Sequence, residues 1–179
     1  VEGEAGSVLA ITARETGALL HEADRELVIS HVATSIDGTR FSLATPDERY
    51  ALSTPLPGLH QAGNAALAAR SAELLSGDFR GLRRDSIAAG VAATRWPGRL
   101  ERLTARGRPV LLDGCHNAQG AAALAAFLRE AELAGRVRLV FGAMADKDVE
   151  AVAAILFPLA SGVRLVEAPS ARAATSEEL

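Results

Sequence analysis

Apolar positions along this chain follow two rhythms. Over residues 5–15 they recur at helical spacing, and Gly17 ends the pattern. Short runs with β character come next, over residues 18–21, 27–32, 40–45 and 50–54. Asp37-Gly38 reads as a hairpin turn between two of them, and Pro46-Asp47 opens another, so an antiparallel patch is expected. Leu56-Pro57-Gly58 breaks it. Two helices follow, a strong one rich in Ala and Leu over residues 60–75 and a second over residues 85–95.

Trp96-Pro97-Gly98 is a hard stop and a candidate domain hinge, because Pro and Gly together cannot continue a helix. Beyond it strands and helices alternate. Strands are expected over residues 99–103, 110–112, 137–141 and 163–167, with helices over 117–133 and 149–159. That order predicts an α/β domain with a parallel or mostly parallel sheet covered by helices.

At 179 residues, 49% of them apolar, the chain is large enough to bury a core as one domain or two small ones. A formal net charge of −3 without a basic run argues against a nucleic-acid partner. One cysteine excludes an intramolecular disulfide framework and suits a reducing compartment. No apolar run reaches the ~18 residues of a membrane span, and the opening residues lack a signal-peptide pattern, so a cytoplasmic protein with no membrane partner is expected. The chain opens without an initiator methionine, and residues 175–179 read as a helix start. A piece of a longer protein is therefore expected.

Of the nineteen basic side chains, Lys147 is the only lysine. A phosphate-binding loop needs its lysine beside the glycines and before Ser or Thr, whereas Asp148 follows Lys147, so the sequence holds no Walker A motif.

Four stretches carry candidate chemistry. Asp113-Gly114-Cys115-His116-Asn117 joins an apolar strand to an Ala-rich helix, the position where open α/β sheets bind ligands. Asp113 can accept two ribose hydroxyls and His116 can donate to an anion. The competing reading makes Asp113 or Asn117 a helix cap. His60, Gln61 and Asn64 lie near one face of a helix start, where an amide matches an adenine edge or merely feeds the helix N–H groups. Arg99 directly follows the Pro97-Gly98 turn and could stack on a base, fork onto a phosphate, or sit idle in a linker. Asp146-Lys147-Asp148 follows a strand and Gly142; the alternative is a solvated helix start capped by Asp146. Cys115 and His116 are adjacent and diverge, so they make no convincing nucleophile–base pair. The four histidines lack metal-ligand spacing, and no metal site is expected in the chain.

In this order the motifs resemble the second half of the folylpolyglutamate synthase / dihydrofolate synthase group of the Mur ligase family. The matching positions are Gly58, His60, Gln61, Asn64 and Ala65, then residues 97–101, then residues 113–117 with Cys115 in place of alanine. Gly142 with residues 146–148 and the pair Arg172-Ala173 complete the resemblance, which covers nearly the whole chain. It implies that residues 1–96 form the C-terminal portion of a central ATP-binding domain, and residues 97–179 a truncated Rossmann-like ligase domain. It also implies an ATP-dependent ligase that joins L-glutamate to a folate or dihydropteroate through an acyl phosphate. Asn64, Arg99 and Asp113 are then expected at the adenine, the interdomain nucleotide face and the ribose, with His116 and Lys147 at the reacting groups. Magnesium ligands, the phosphate loop and the modified lysine are expected upstream. The chain alone is expected to be inactive, and a monomer. Two alternatives stay open: another Mur-type ligase acting on peptidoglycan precursors, and a non-catalytic nucleotide-binding module.

Overall fold

The computed structural model describes residues 3–175 and residue 177. The chain divides into two compact units. The first holds the described part of Val1–Ala33 together with Arg40–Thr54 and Ala62–Ala93; the second holds Thr34–Thr39, Pro55–Gln61 and the chain from Thr94 onward.

In the first unit α1 (Glu4–Thr16) stops where Gly17 takes a left-handed φ of 70°. Residues 18–21, expected as a strand, are irregular and lead into the short α2 (Ala23–Glu26). The run has no strand to pair with, and exposed Leu19 gains nothing from extending. β1 (Val28–Ser35), β2 (Gly38–Ala44) and β3 (Arg49–Thr54) form one sheet in that order. Their connections are too short for parallel crossovers, so they run antiparallel. Gly38 begins β2 at φ 138°, as the Asp37-Gly38 turn requires.

Alternation then decides the core. Thr39, Phe41 and Leu43 of β2 and Tyr50, Leu52 and Thr54 of β3 point inward. Phe41, Leu43, Tyr50 and Leu52 share a core with Ala62, Ala66 and Ala69 of α3 (His60–Leu74) and Ile87 and Val91 of α4 (Arg84–Ala92). Small residues at i, i+4 and i+7 let α3 lie close to its neighbours. The helix α4 ends three residues before the expected Arg95. Arg70 on α3 bonds Glu26 at 2.9 Å, Asp47 at 2.5 Å and Glu73 at 2.9 Å, and Thr45 bonds Glu73 at 3.0 Å. One guanidinium thus fastens α2, the β2–β3 turn and α3 together.

The second unit is α/β, as expected. Its first two strands, β4 (Glu101–Ala105) and β5 (Arg108–Leu112), form a separate antiparallel hairpin. Arg106 and Gly107 both have positive φ, 50° and 74°, the two-residue turn that matches strand twist. α5 (Ala118–Glu130), β6 (Val137–Phe141), α6 (Val149–Leu156) and β7 (Ala160–Leu165) follow, and β6 and β7 pair in parallel. Ala121 and Ala125 of α5 share a core with Phe141, Val152 and Leu156, and Phe141 meets Phe157 edge-on at 5.4 Å. The helix start expected over residues 175–179 lies largely outside the described residues. Among the described residues no helix is long and apolar enough to cross a membrane.

Candidate functional site

The segment after β5 is locked to the turn before β4. Asp113 Oδ2 accepts from the Leu100 backbone N–H and Oδ1 from that of Cys115, both at 2.9 Å. Gly114 N–H donates to Gly98 O at 2.7 Å, and Gly98 N–H donates to Glu101 Oε2 at 2.9 Å. Leu100 sits at φ 48° with its side chain 3% exposed. Left-handed backbone costs a leucine about 1–3 kcal/mol, and here burial and the Asp113 bond hold it. The Pro97–Glu101 and Asp113–Asn117 motifs are therefore one structural object. Each Asp113 oxygen spends one lone pair on the backbone and the Cys115 thiol also engages the carboxylate, which keeps acceptor capacity for an incoming hydroxyl.

Of the two residues weighed as the cap of α5, Asn117 serves: its Oδ1 accepts from Gly120 N–H at 2.8 Å. Asp113 is left to the turn. His116 is exposed, and its Nδ1 lies 3.0 Å from Gly114 O. A carbonyl only accepts, so Nδ1 carries the proton and the neutral ring presents Nε2 as an acceptor. His116 donates from Nε2 only when the ring is protonated, a condition the sequence did not reveal. Cys115 points into the core of α5, β6 and α6; burial, then the neighbouring Asp113, pushes its thiol up to about 12. It is no nucleophile.

Arg99 is exposed, with its guanidinium 5.9 Å from the Trp96 ring centre. The indole props an arginine that keeps its five donors. His60 feels both Asp113 and Arg99. Burial lowers its pKa, the Asp113 carboxylate acts the other way, and Arg99 adds to the lowering. The ring lies against Gly58, where an added Cβ would come within 2.8 Å of His60 Cε1. Beside it, a cavity of about 200 Å³ is bounded by Leu59, His60 and the Ala123, Ala126, Phe127 and Glu130 face of α5. Asn64 lies in the first unit, on the exposed side of α3.

The Lys147 loop follows β6. Lys147 Nζ bonds Asp146 Oδ2 at 3.0 Å, and Arg172 Nη2 bonds Asp146 Oδ1 at 3.1 Å. Hydrogen bonds from Lys147 and then Arg172 hold Asp146 below its usual carboxylate range. The cap of α6 is Asp148, whose Oδ1 accepts from Ala151 N–H at 3.0 Å, so the alternative that Asp146 caps it does not hold. Asp148 directly precedes the first helical residue, while both oxygens of Asp146 are taken by cations. Gly142 is required by close approach, since an added Cβ would lie 2.6 Å from Val166 O.

Arg99, Asp113 and His116 thus gather at the hairpin end, with His60 in their field. Lys147 belongs to the loop after β6, and Cys115, Ala143 and Val149 all pack against the core of Ala121, Ala125, Phe141, Val152 and Leu156. Sequence reasoning missed what Glu101 and Arg172 do. Both stood inside recognised motifs, but only a fold brings Arg172 to Asp146.

Residues 98–179 match the family described as Mur ligase, glutamate ligase domain. Residues 98–179 of this chain thus belong to the Mur ligase glutamate ligase domain family. A dihydrofolate synthase/folylpolyglutamate synthase of Mycobacterium tuberculosis is 42% identical over 129 residues, covering 70% of this chain and 26% of that protein. The solved Mycobacterium tuberculosis folylpolyglutamate synthase complexed with ADP and AMPPCP is 31% identical with a TM-score of 0.82, over 96% of this chain and 38% of that one. The UDP-N-acetylmuramoyl-tripeptide–D-alanyl-D-alanine ligase of Escherichia coli is 33% identical over 132 residues, 73% of this chain and 28% of that protein. The chain thus spans well under half the length of these relatives. The α/β fold of the second unit and its parallel β6–β7 pair match the family.

Proposed function

We propose that this chain is the nucleotide-closing and amino-acid-receiving part of an ATP-dependent ligase that adds L-glutamate to a folate. The carrying observation is the Asp113 carboxylate, fixed by two backbone N–H groups beside Arg99 and His116. Relatives named for folylpolyglutamate synthesis, and a solved relative holding ADP and AMPPCP, support the same reading.

In the proposed reaction a pterin-bearing carboxylate attacks the γ-phosphorus of ATP, and ADP leaves. The glutamate amine then attacks the acyl carbon, loses a proton, and phosphate departs as the amide forms. Asp113 accepts the ribose hydroxyls with its spare lone pairs, and Asn64 offers its amide to the adenine. Arg99 covers the nucleotide from its perch on Trp96. His116, with Nε2 free, takes the proton released by the amine. Lys147 receives a carboxylate of the incoming glutamate. Residues 1–96 would supply part of the ATP-binding domain and residues 97–179 the ligase domain, and the chain alone would be inactive. Among the described residues no group of three or more His, Cys, Asp or Glu could hold a metal ion, and in this proposal the magnesium ligands lie upstream of them.

The test is ADP release by the entire product of the gene with ATP, magnesium and glutamate, comparing dihydropteroate, tetrahydrofolate and no acceptor. Release that depends on a pterin supports the proposal and names its branch. The Escherichia coli relative favours a second reading, a ligase of peptidoglycan precursors. ATP binding with no pterin-dependent release would move the assignment there.

A further inference from the structure

We propose that Arg172 is a positioning residue for Lys147, acting through the carboxylate of Asp146. The two oxygens of Asp146 hold different cations, Oδ2 the Lys147 ammonium at 3.0 Å and Oδ1 the Arg172 guanidinium at 3.1 Å. A carboxylate pinned at both ends cannot rotate to engage Lys147 with its second oxygen. Lys147 is then held by one contact and keeps N–H donors for a third group. Charge points the same way. Asp146 alone would neutralise Lys147, whereas one carboxylate between two cations leaves a positive centre suited to an anion. Asp148 is engaged elsewhere, its Oδ1 turned to the Ala151 N–H at the start of α6.

The backbone delivers Arg172 to this place. Ala145 N–H donates to Arg172 O and Ala174 N–H to Ala143 O, both at 2.9 Å, while Met144 and Ala173 pair antiparallel. Val166 N–H bonds Phe141 O at 2.9 Å just before the loop begins. The strand-end loop and the segment after β7 are therefore zipped together, and Asp146 and Arg172 meet across the zipper. Arg172 is 71% exposed, so its charge is not needed to fill a core. The inference rests on the reading of Lys147 as the group that receives a carboxylate.

The sole lysine makes a direct test possible. Reductive methylation with 13C-formaldehyde places NMR labels only on Lys147 and the α-amine of this chain. The Lys147 signal is titrated in the unaltered chain and in Arg172→Gln, Arg172→Lys, Asp146→Asn and the Arg172→Gln/Asp146→Asn double variant. Arg172→Gln is expected to move the titration of the Lys147 signal to higher pH, since a nearby cation is lost and Asp146 turns wholly to the ammonium. Arg172→Lys should bring it back toward the starting value. In the Asp146→Asn background the effect of Arg172→Gln should shrink, which marks coupling through the carboxylate. An unchanged or lowered pKa in Arg172→Gln overturns the proposal, and so does an effect of equal size with and without Asp146. The ADP-release assay reads the ligase assignment alone, so either idea can fail without the other.

Discussion

Leu100 and Asp113 hold one another in place: the Asp113 Oδ2 receives the N–H of a leucine whose backbone is left-handed at φ 48°. The same carboxylate closes on Cys115 N–H through its other oxygen. One side chain thus shapes the motif before β4 and the motif after β5. Asp113→Asn keeps the shape but offers a single acceptor, so one backbone N–H faces an NH2 group. We expect a stability loss of about 1–3 kcal/mol in urea unfolding, together with weaker nucleotide binding at temperatures where the variant is still folded. Lost stability with unchanged nucleotide affinity would confine Asp113 to the turn.

His60 offers a pH readout of the same region. Burial lowers its pKa, Asp113 opposes the shift and Arg99 adds to it. The folded chain therefore stays neutral at His60 where the unfolded chain is already protonated. As pH falls through the ordinary histidine range, the unfolded state gains its proton first, and this contribution to stability falls. It levels off once pH passes the folded value. NMR titration should show Asp113→Asn moving His60 further down and Arg99→Gln moving it up. Opposite signs would mean that neither charge faces the ring.

Cys115 should be inert in the folded chain. Its thiol is pushed up to about 12, first by burial and then by Asp113, so almost no thiolate exists near pH 8. A disulfide reagent should react slowly with the native protein and fast in denaturant, with ADP release unaffected by Cys115→Ala. Rapid labelling of the native chain would contradict the packing of Cys115 against the core of α5, β6 and α6.

Gly142 faces a different constraint. Its Cβ would meet Val166 O at 2.6 Å, a backbone atom that cannot swing aside. Gly142→Ala is expected to cost about 1–3 kcal/mol, the usual penalty of forcing atoms into a filled site. Thermal unfolding measures it, and a variant as stable as the original would show that the loop opens easily.

Periodic elements were legible from the chain alone. Residues 137–141 are a strand with the expected bounds, and α1, α3 and α5 lie where their patterns put them within a few residues. What stayed hidden was pairing. The turn at Arg106-Gly107 lacks a strong hairpin signature, so β4 and β5 gave no sign of closing on each other. The run over residues 18–21 shows the converse, β-like residues with no neighbour to pair. At the site, Asp146 and Asp148 are both plausible caps by composition, and they separate because α6 begins at Val149, directly after Asp148, while Arg172 arrives from beyond β7 to engage Asp146. Long-range partners of this kind leave no local trace.

The zipper between the Lys147 loop and the segment after β7 also orders events during synthesis. A ribosome releases Asp146 and Lys147 well before Arg172 and Ala174. Until those later residues emerge, the loop lacks its cross-strand backbone bonds and the second cation on Asp146. The nascent chain can thus complete the Asp113 turn, whose partners all lie at or before Cys115, while Asp146 still has Lys147 alone to engage. The nucleotide end of the proposed site matures first, and the amino-acid end waits for translation to catch up.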